Sequence, residues 1–274
     1  MVKKKLNRQQ SVGAVVEHVF PLREFTSSTH GLWLAEVFKV VYHGHEELTP
    51  HRQIGTIKVN DELNEHYLYK VGRTDKRKPS IRHMDEVMLT GPRISSISTE
   101  NSLTIDVDLF RGAYKDTFYI KDILNDDSVK ICYPLQRRII SKDGRGEIVI
   151  LYAIYDNAIE AQLEIKLLAD DNFTLEVYGV VAASTTKLDS FEHISMLFLK
   201  KPDDKIKVRR RRLLPLSRSI VAVPLETELI VDIHLLTGDE NHIFEGTVKF
   251  KAERGGTRRQ LVEGKKCKIL VEVT

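Results

Sequence analysis

Apolar and polar residues alternate along much of this chain. In Leu103-Thr-Ile-Asp-Val-Asp-Leu109 the apolar positions are 103, 105, 107 and 109, with polar residues between them. A period of two places one face on a core and the other in water, which predicts a half-buried strand. Leu229, Val231, Ile233 and Leu235 keep the same phase, and further strands are expected at Ile54–Val59, Ile148–Ile154, Leu175–Val181, Ile243–Phe250 and Lys268–Val273. Ile159–Leu168 fits two periods, because Ile159, Leu163 and Leu167 also recur every fourth residue. Five apolar alternate positions and strand-like flanks favour a strand there. Only Tyr119–Leu124 has the character of a short helical turn. The pattern predicts an all-β chain.

One phrase is written twice. TENSLTIDVDLF, residues 99–110, returns as LETELIVDIHLL, residues 225–236, which aligns Glu100 with Glu226, Leu103 with Leu229 and Asp106 with Asp232. Gly55-Thr-Ile-Lys-Val59 is likewise similar to Gly179-Val-Val-Ala-Ala183. These echoes predict two sequence-related β-sandwich-like modules, an internal pseudo-repeat able to pack as one unit. A basic N-terminal arm (1–31) precedes a first module (32–140) and a second (147–274). The link is expected at Ser141-Lys-Asp-Gly-Arg-Gly146, which has turn chemistry. The shared aspartates, Asp106 and Asp232, are expected on solvated outer faces.

Composition narrows the function classes. The chain has 274 residues, 42% apolar and 30% charged, as expected of a folded protein. A formal charge of +3 is too small to identify a nucleic-acid partner, so its distribution matters more. Basic residues gather in three stretches. The first holds Lys76, Arg77 and Lys78; the second holds Arg209, Arg210, Arg211 and Arg212, with Arg218 beyond; the third holds Arg258 and Arg259. These residues are the candidates for phosphate contact with RNA or another polyanion. The competing readings are solvated loops, protected strand edges and, for Arg209–Arg212, a nuclear address. No aromatic platforms are interleaved with them for stacking bases.

Other chemistry finds less support. Two cysteines, Cys132 and Cys267, make neither a secreted disulfide framework nor a metal spacing. His43-Gly-His45, with His51 and His66 near it, is a weak metal signal. Asp126-Asp127, Asp170-Asp171 and Asp203-Asp204 have no matching downstream calcium ligand. No metal and no cofactor are expected. No phosphate-cradling glycine loop, serine elbow or zinc-protease helix is present. The N-terminal apolar run is too short for a signal peptide, and no stretch has the length to cross a bilayer. A cytoplasmic protein without a membrane partner is therefore expected, the nucleus being the other compartment open to it.

With the repeat in place, the chain resembles a known family. Glu86-Val-Met-Leu-Thr-Gly-Pro92 followed by Leu103–Leu109, then Ala158-Ile-Glu-Ala161, Leu175-Glu-Val-Tyr-Gly179, Leu216–Pro224 and Cys267–Val273, are similar to signatures of a domain of unknown function found widely in grasses. The resemblance covers roughly 32–274. That domain also forms the C-terminal half of the cereal jasmonate-induced ribosome-inactivating protein, the branch to which this chain is most similar. The resemblance implies a plant stress- or defence-response protein with a connection to translation. It supplies no catalytic residues.

The connection directs attention to ribosomal RNA N-glycosidases, which need a Glu and an Arg one turn apart on a helix. Here Glu160-Ala-Gln-Leu163 offers the glutamate but puts Leu163 at the arginine's place, and the sole tryptophan, Trp33, lies far upstream. Without that cation, charge developing in the site has no balance. Cap binding, which usually needs two large aromatic faces, would have to use Tyr67, Tyr69 or Tyr178 beside the single tryptophan. The expected function is thus a non-catalytic binding or regulatory domain that contacts ribosomes or RNA through basic loops. The alternative is an interaction domain whose partner is a protein, such as an N-glycosidase domain normally on the same chain.

Overall fold

The computed structural model describes residues 17–19, 32–44, 54–61, 64–72, 86–92, 95–99, 103–110, 112–119, 134–144, 146–169, 174–188, 190–209, 212–237, 243–264 and 267–274. Among them the protein is all-β, with antiparallel pairing throughout, sandwich-like stacking of its sheets and two single turns of 3-10 helix as its only helical elements. The alternating segments are strands, Ile159–Leu168 included. Of the expected helical turn, Tyr119 ends a strand and 120–124 lie outside the described residues. No helix of the described residues is long and apolar enough to cross a membrane, which says nothing about a β-barrel.

The strands of the first half are β1 (Glu17–Val19), β2 (Leu32–Gly44), β3 (Gly55–Asn60), β4 (Glu65–Val71), β5 (Glu86–Val87), β6 (Ile97–Ser98), β7 (Thr104–Leu109), β8 (Tyr114–Tyr119) and β9 (Pro134–Ile140). A long strand, β10 (Gly146–Ala169), leads into β11 (Thr174–Thr185), β12 (Ser195–Lys200), β13 (Ile206–Arg209), β14 (Ile220–Pro224), β15 (Glu228–Thr237), β16 (Ile243–Lys251), β17 (Arg258–Glu263) and β18 (Cys267–Val273). One sheet has the order β4-β3-β7-β8 and another β12-β11-β15-β16, with β13 also on β11. The largest sheet runs β1-β17-β18-β10-β2-β5, with β6, β9 and β14 attached.

Both copies of the repeated phrase are central strands. β7 lies between β3 and β8, and β15 lies between β11 and β16. Gly55 faces Leu109, and Gly179 faces Leu235, so two glycines meet the repeated strands at matching points. Each glycine has positive φ, 156° and 123°, and each lies close under the carbonyl of the facing strand. Asp106 is half-buried and accepts a hydrogen bond from Asn60 Nδ2 at 2.9 Å, while the exposed Asp232 accepts one from Thr247 Oγ1 at 2.6 Å. Each aspartate is bonded within its own sheet.

The Ser141–Gly146 stretch, expected as the link, instead closes the hairpin between β9 and β10: Ser141 N donates to Gly146 O at 2.9 Å, and Ile140 faces Glu147. The two halves are joined inside β10. Its residues Ile148, Ile150, Tyr152 and Ile154 belong to the first core, with Ile57, Val107 and Leu109. Its residues Ala161, Leu163, Ile165 and Leu167 belong to the second, with Val181, Val231 and Ile233. The buried positions change from even to odd, and the pairing with β2 shifts register between Tyr155 and Ala158. A third apolar cluster, including Leu34, Phe38, Tyr155, Leu188 and Ala222, fills the seam between the halves.

Candidate functional site

The seam holds the most buried charge in the described residues. Glu36 on β2 and Arg218 just ahead of β14 are 3% and 1% exposed. Arg218 Nη2 donates to Glu36 Oε1, and Nη1 donates to Val37 O at 2.7 Å. Glu36 Oε1 also accepts from Ser195 Oγ at 2.5 Å, and Oε2 accepts from Ala222 N at 2.9 Å. A buried charge pair is stabilised against desolvation by further hydrogen bonds, and here Val37 O, Ser195 Oγ and Ala222 N supply them, while the buried Arg218 Nε is left without a partner among the described residues. This arrangement fixes one half against the other. Arg218, grouped by sequence with the second basic stretch, thus belongs to the interior.

Beside it, the turn Phe191–His193 packs His193 edge-on against Phe38, with ring centroids 5.4 Å apart. Ser190 Oγ lies 2.7 Å from His193 Nδ1. Burial pushes this imidazole below the ordinary histidine range; nearby Glu192 opposes the shift, and Lys39 adds to it. A second buried histidine, His66, bonds Asp61 at 3.0 Å, and Asp61 also accepts from Asn64 N and Ser98 N. That histidine orders a turn. Among the described residues no group of three or more His, Cys, Asp or Glu could hold a metal ion; His45 and His51 lie outside them.

The basic stretches separate once their partners are known. Lys76, Arg77 and Lys78 lie outside the described residues. In the third stretch, Arg259 makes a two-point contact with Glu272, Nε to Oε2 at 2.7 Å and Nη2 to Oε1 at 3.2 Å. This pairing lowers the Glu272 carboxyl and raises the guanidinium. Arg258 is bonded to Glu253 and to Lys251 O. Both arginines serve the protein's own ion pairs.

In the second stretch, Lys205 lies 2.5 Å from Glu176 and Lys207 lies 3.8 Å from it, so one carboxylate offsets both. Arg209 and Arg212 differ. Arg212 N donates to Arg209 O at 3.1 Å, closing a tight turn. The turn is anchored on both sides by the second core, through Val208 and Leu214, which are 4% and 2% exposed. Leu214 N also donates to Ile165 O at 2.7 Å. Arg209 and Arg212 are exposed, and among the described residues neither has a carboxylate partner. Arg210 and Arg211 lie outside the described residues.

The structure does not bring the second and third stretches together. Arg209 faces Thr174 at one end of β11, whereas Arg258 bonds the strand that reaches Glu228 beside the other end, near Thr185. The length of β11 separates them by roughly 35 Å. Glu160, the glutamate of the N-glycosidase comparison, lies on a strand opposite Ala222 and accepts from Ser96 N at 2.5 Å; Leu163 is buried.

These features define an all-β protein of two linked antiparallel halves with a buried ionic seam and a cationic turn at one corner. The chain belongs to the family described as a domain of unknown function, DUF6598, whose model matches residues 34–273. No curated protein matches it. Among solved structures it is similar to the tandem C2 domains of Extended-Synaptotagmin 2, at 8% identity over 97% of each chain, with a TM-score of 0.27. Human GIVD cytosolic phospholipase A2 is matched at 11% identity, over 89% of this chain and 32% of that one, with a TM-score of 0.22. At such scores these likenesses carry no functional inference.

Proposed function

We propose that the protein is a non-catalytic binding domain that holds a polyanion, ribosomal or other RNA, at the Arg209–Arg212 turn. The observation that carries this reading is the pinned turn itself: two exposed arginines, their backbones hydrogen-bonded to each other, with no carboxylate partner among the described residues. Guanidinium suits phosphate oxygens, and an exposed arginine without a carboxylate partner has its donors open to them. Lys76, Arg77 and Lys78 extend the same proposal. Arg258 and Arg259 fit it less well, because binding there would have to displace Glu253 and Glu272.

The family resemblance supports the setting we propose: a plant stress- or defence-response protein of the cytoplasm, acting on or near the translation machinery. Intrinsic N-glycosidase activity has no support from Glu160, which is bonded on a strand and has no arginine at Leu163. Co-sedimentation of the chain with plant ribosomes at low and moderate salt tests the proposal. Salt-sensitive pelleting agrees with it. Pelleting indifferent to salt would instead favour an apolar protein partner, and a chain that stays in the supernatant at both salts would contradict ribosome binding.

A further inference from the structure

The strand β13 alternates as the central strands do. Ile206 and Val208 pack on the second core, which leaves Lys207 and Arg209 on the outer face, with Lys205 in phase just ahead of the strand. On β11 the buried Val177 faces Ile206, so Thr174, Glu176 and Tyr178 share the outer face with those cations. Arg209 lies opposite Thr174, and Lys207 lies opposite Glu176. Consecutive outward positions on a strand are about 7 Å apart, a pitch close to that of successive phosphates along one strand of nucleic acid.

The acid within this row leaves its cationic end open. Glu176 lies 2.5 Å from Lys205 but 3.8 Å from Lys207, whose side chain is 74% exposed, so the Lys207 ammonium can turn to a phosphate without leaving that carboxylate bare. Asp203 and Asp204, in the turn just before Lys205, bound the row at its other end, and Asp204 is paired with Lys200 at 2.6 Å.

Tyr178 adds what the basic run lacks in sequence, an aromatic face. It is the diagonal neighbour of Lys207 across the β11–β13 pair, with the two backbones roughly 7–8 Å apart. Tyr178 is partly exposed, and among the described residues its hydroxyl has no hydrogen-bond partner and its ring no aromatic or cationic one. Beyond it the outer face turns apolar, with the partly exposed Val180 along β11 and Leu236 opposite Tyr178 on β15. Charge thus lies on one side of Tyr178 and apolar surface on the other, as a nucleotide with its phosphate and its base requires.

We infer that the outer face of the β11–β13 pair seats single-stranded RNA, with Lys207 and Arg209 on successive phosphates and the Tyr178 ring stacked on a base. This rests on the polyanion reading of the Arg209–Arg212 turn and narrows it. A base is free to stack on a side chain only where the strand is unpaired, so the ligand is unpaired RNA and not a duplex.

The test is fluorescence anisotropy with the full chain, a labelled oligoadenylate of about ten nucleotides and the same strand annealed to its complement, across a salt series. Tyr178→Ala should weaken single-strand binding about tenfold more than duplex binding, and Tyr178→Phe should recover most of that loss. Lys207→Gln, at an exposed position, should lower the log–log salt slope for the single strand by about 0.7. Equal losses on the two ligands, no recovery with phenylalanine, or a slope unmoved by Lys207→Gln would each overturn the assignment. Failure of the turn itself reads differently. If Arg209→Glu/Arg212→Glu weakens RNA binding while Tyr178→Ala and Lys207→Gln bind as the unaltered chain does, the turn stands and the Tyr178 seat falls. If the unaltered chain binds neither ligand, both fall.

Discussion

Glu36 and Arg218 are 182 residues apart in sequence and form one buried ion pair across the seam. The carboxylate takes three donors and the guanidinium also holds the Val37 carbonyl, so removing either partner leaves a charge without its match in the interior. Arg218→Met should cost about 3–5 kcal/mol of unfolding free energy, the range for breaking a buried pair from one side. Ser195→Ala, which deletes one of three donors, should cost about 1 kcal/mol. Urea unfolding checks both. An Arg218→Met loss below Ser195→Ala would show that the pair does not hold the halves together.

Gly55 and Gly179 carry a paired prediction. A Cβ at Gly55 would lie 2.3 Å from Asp108 O, and one at Gly179 would lie 2.2 Å from His234 O. The opposing atoms are backbone in central strands, and φ is positive at both sites. Alanine at either position should destabilise by at least about 2 kcal/mol, since strain and strand displacement add. Thermal melts of the two variants should shift in the same direction by similar amounts. Tolerance at one site and not the other would break the correspondence between the β3–β7 and β11–β15 pairs.

The strands, their faces and the all-β class were legible because a period of two survives wherever one face is buried; Leu103, Ile105, Val107 and Leu109 all reach the first core. The point of joining was not. Ser141–Gly146 has the chemistry of any turn, and local chemistry does not distinguish a hairpin from a link. Continuity of β10 depends on partners more than a hundred residues away, such as Val41 opposite Val149 and Val271 opposite Ile165. The charge runs show the same limit. Sequence places Arg209, Arg218 and Arg258 in basic stretches alike, while the fold exposes the first, buries the second against Glu36 and pairs the third with Glu253. A faint signal for the interior role was available: Arg218 is followed by Ile220-Val-Ala-Val223, every residue of which is buried.

His193 predicts an acid-sensitive seam. Burial holds its pKa below the unfolded value, so the unfolded chain binds a proton more readily than the folded one. The stability gained from keeping it neutral is present above the ordinary histidine pKa, near 6.5, and is lost as pH falls through the lower folded value. Stability should therefore decline below about pH 6.5. His193→Phe, which retains an aromatic ring against Phe38, should flatten that part of the decline. An unchanged acid slope in the variant would exclude His193 as its source.

The exposed turn at Arg209 and Arg212 is the central claim, and the salt dependence of RNA binding tests it most directly. Affinity for a ribosomal RNA fragment should be followed by fluorescence anisotropy across a salt series, for the unaltered chain and for Arg209→Glu/Arg212→Glu. Loss of two phosphate contacts should reduce the log–log salt slope by about 1.4–1.8 and weaken binding at every salt concentration. Both arginines are surface residues, so the melting temperature should change little. An unchanged slope and affinity in a folded variant would contradict the assignment of the polyanion site to this turn.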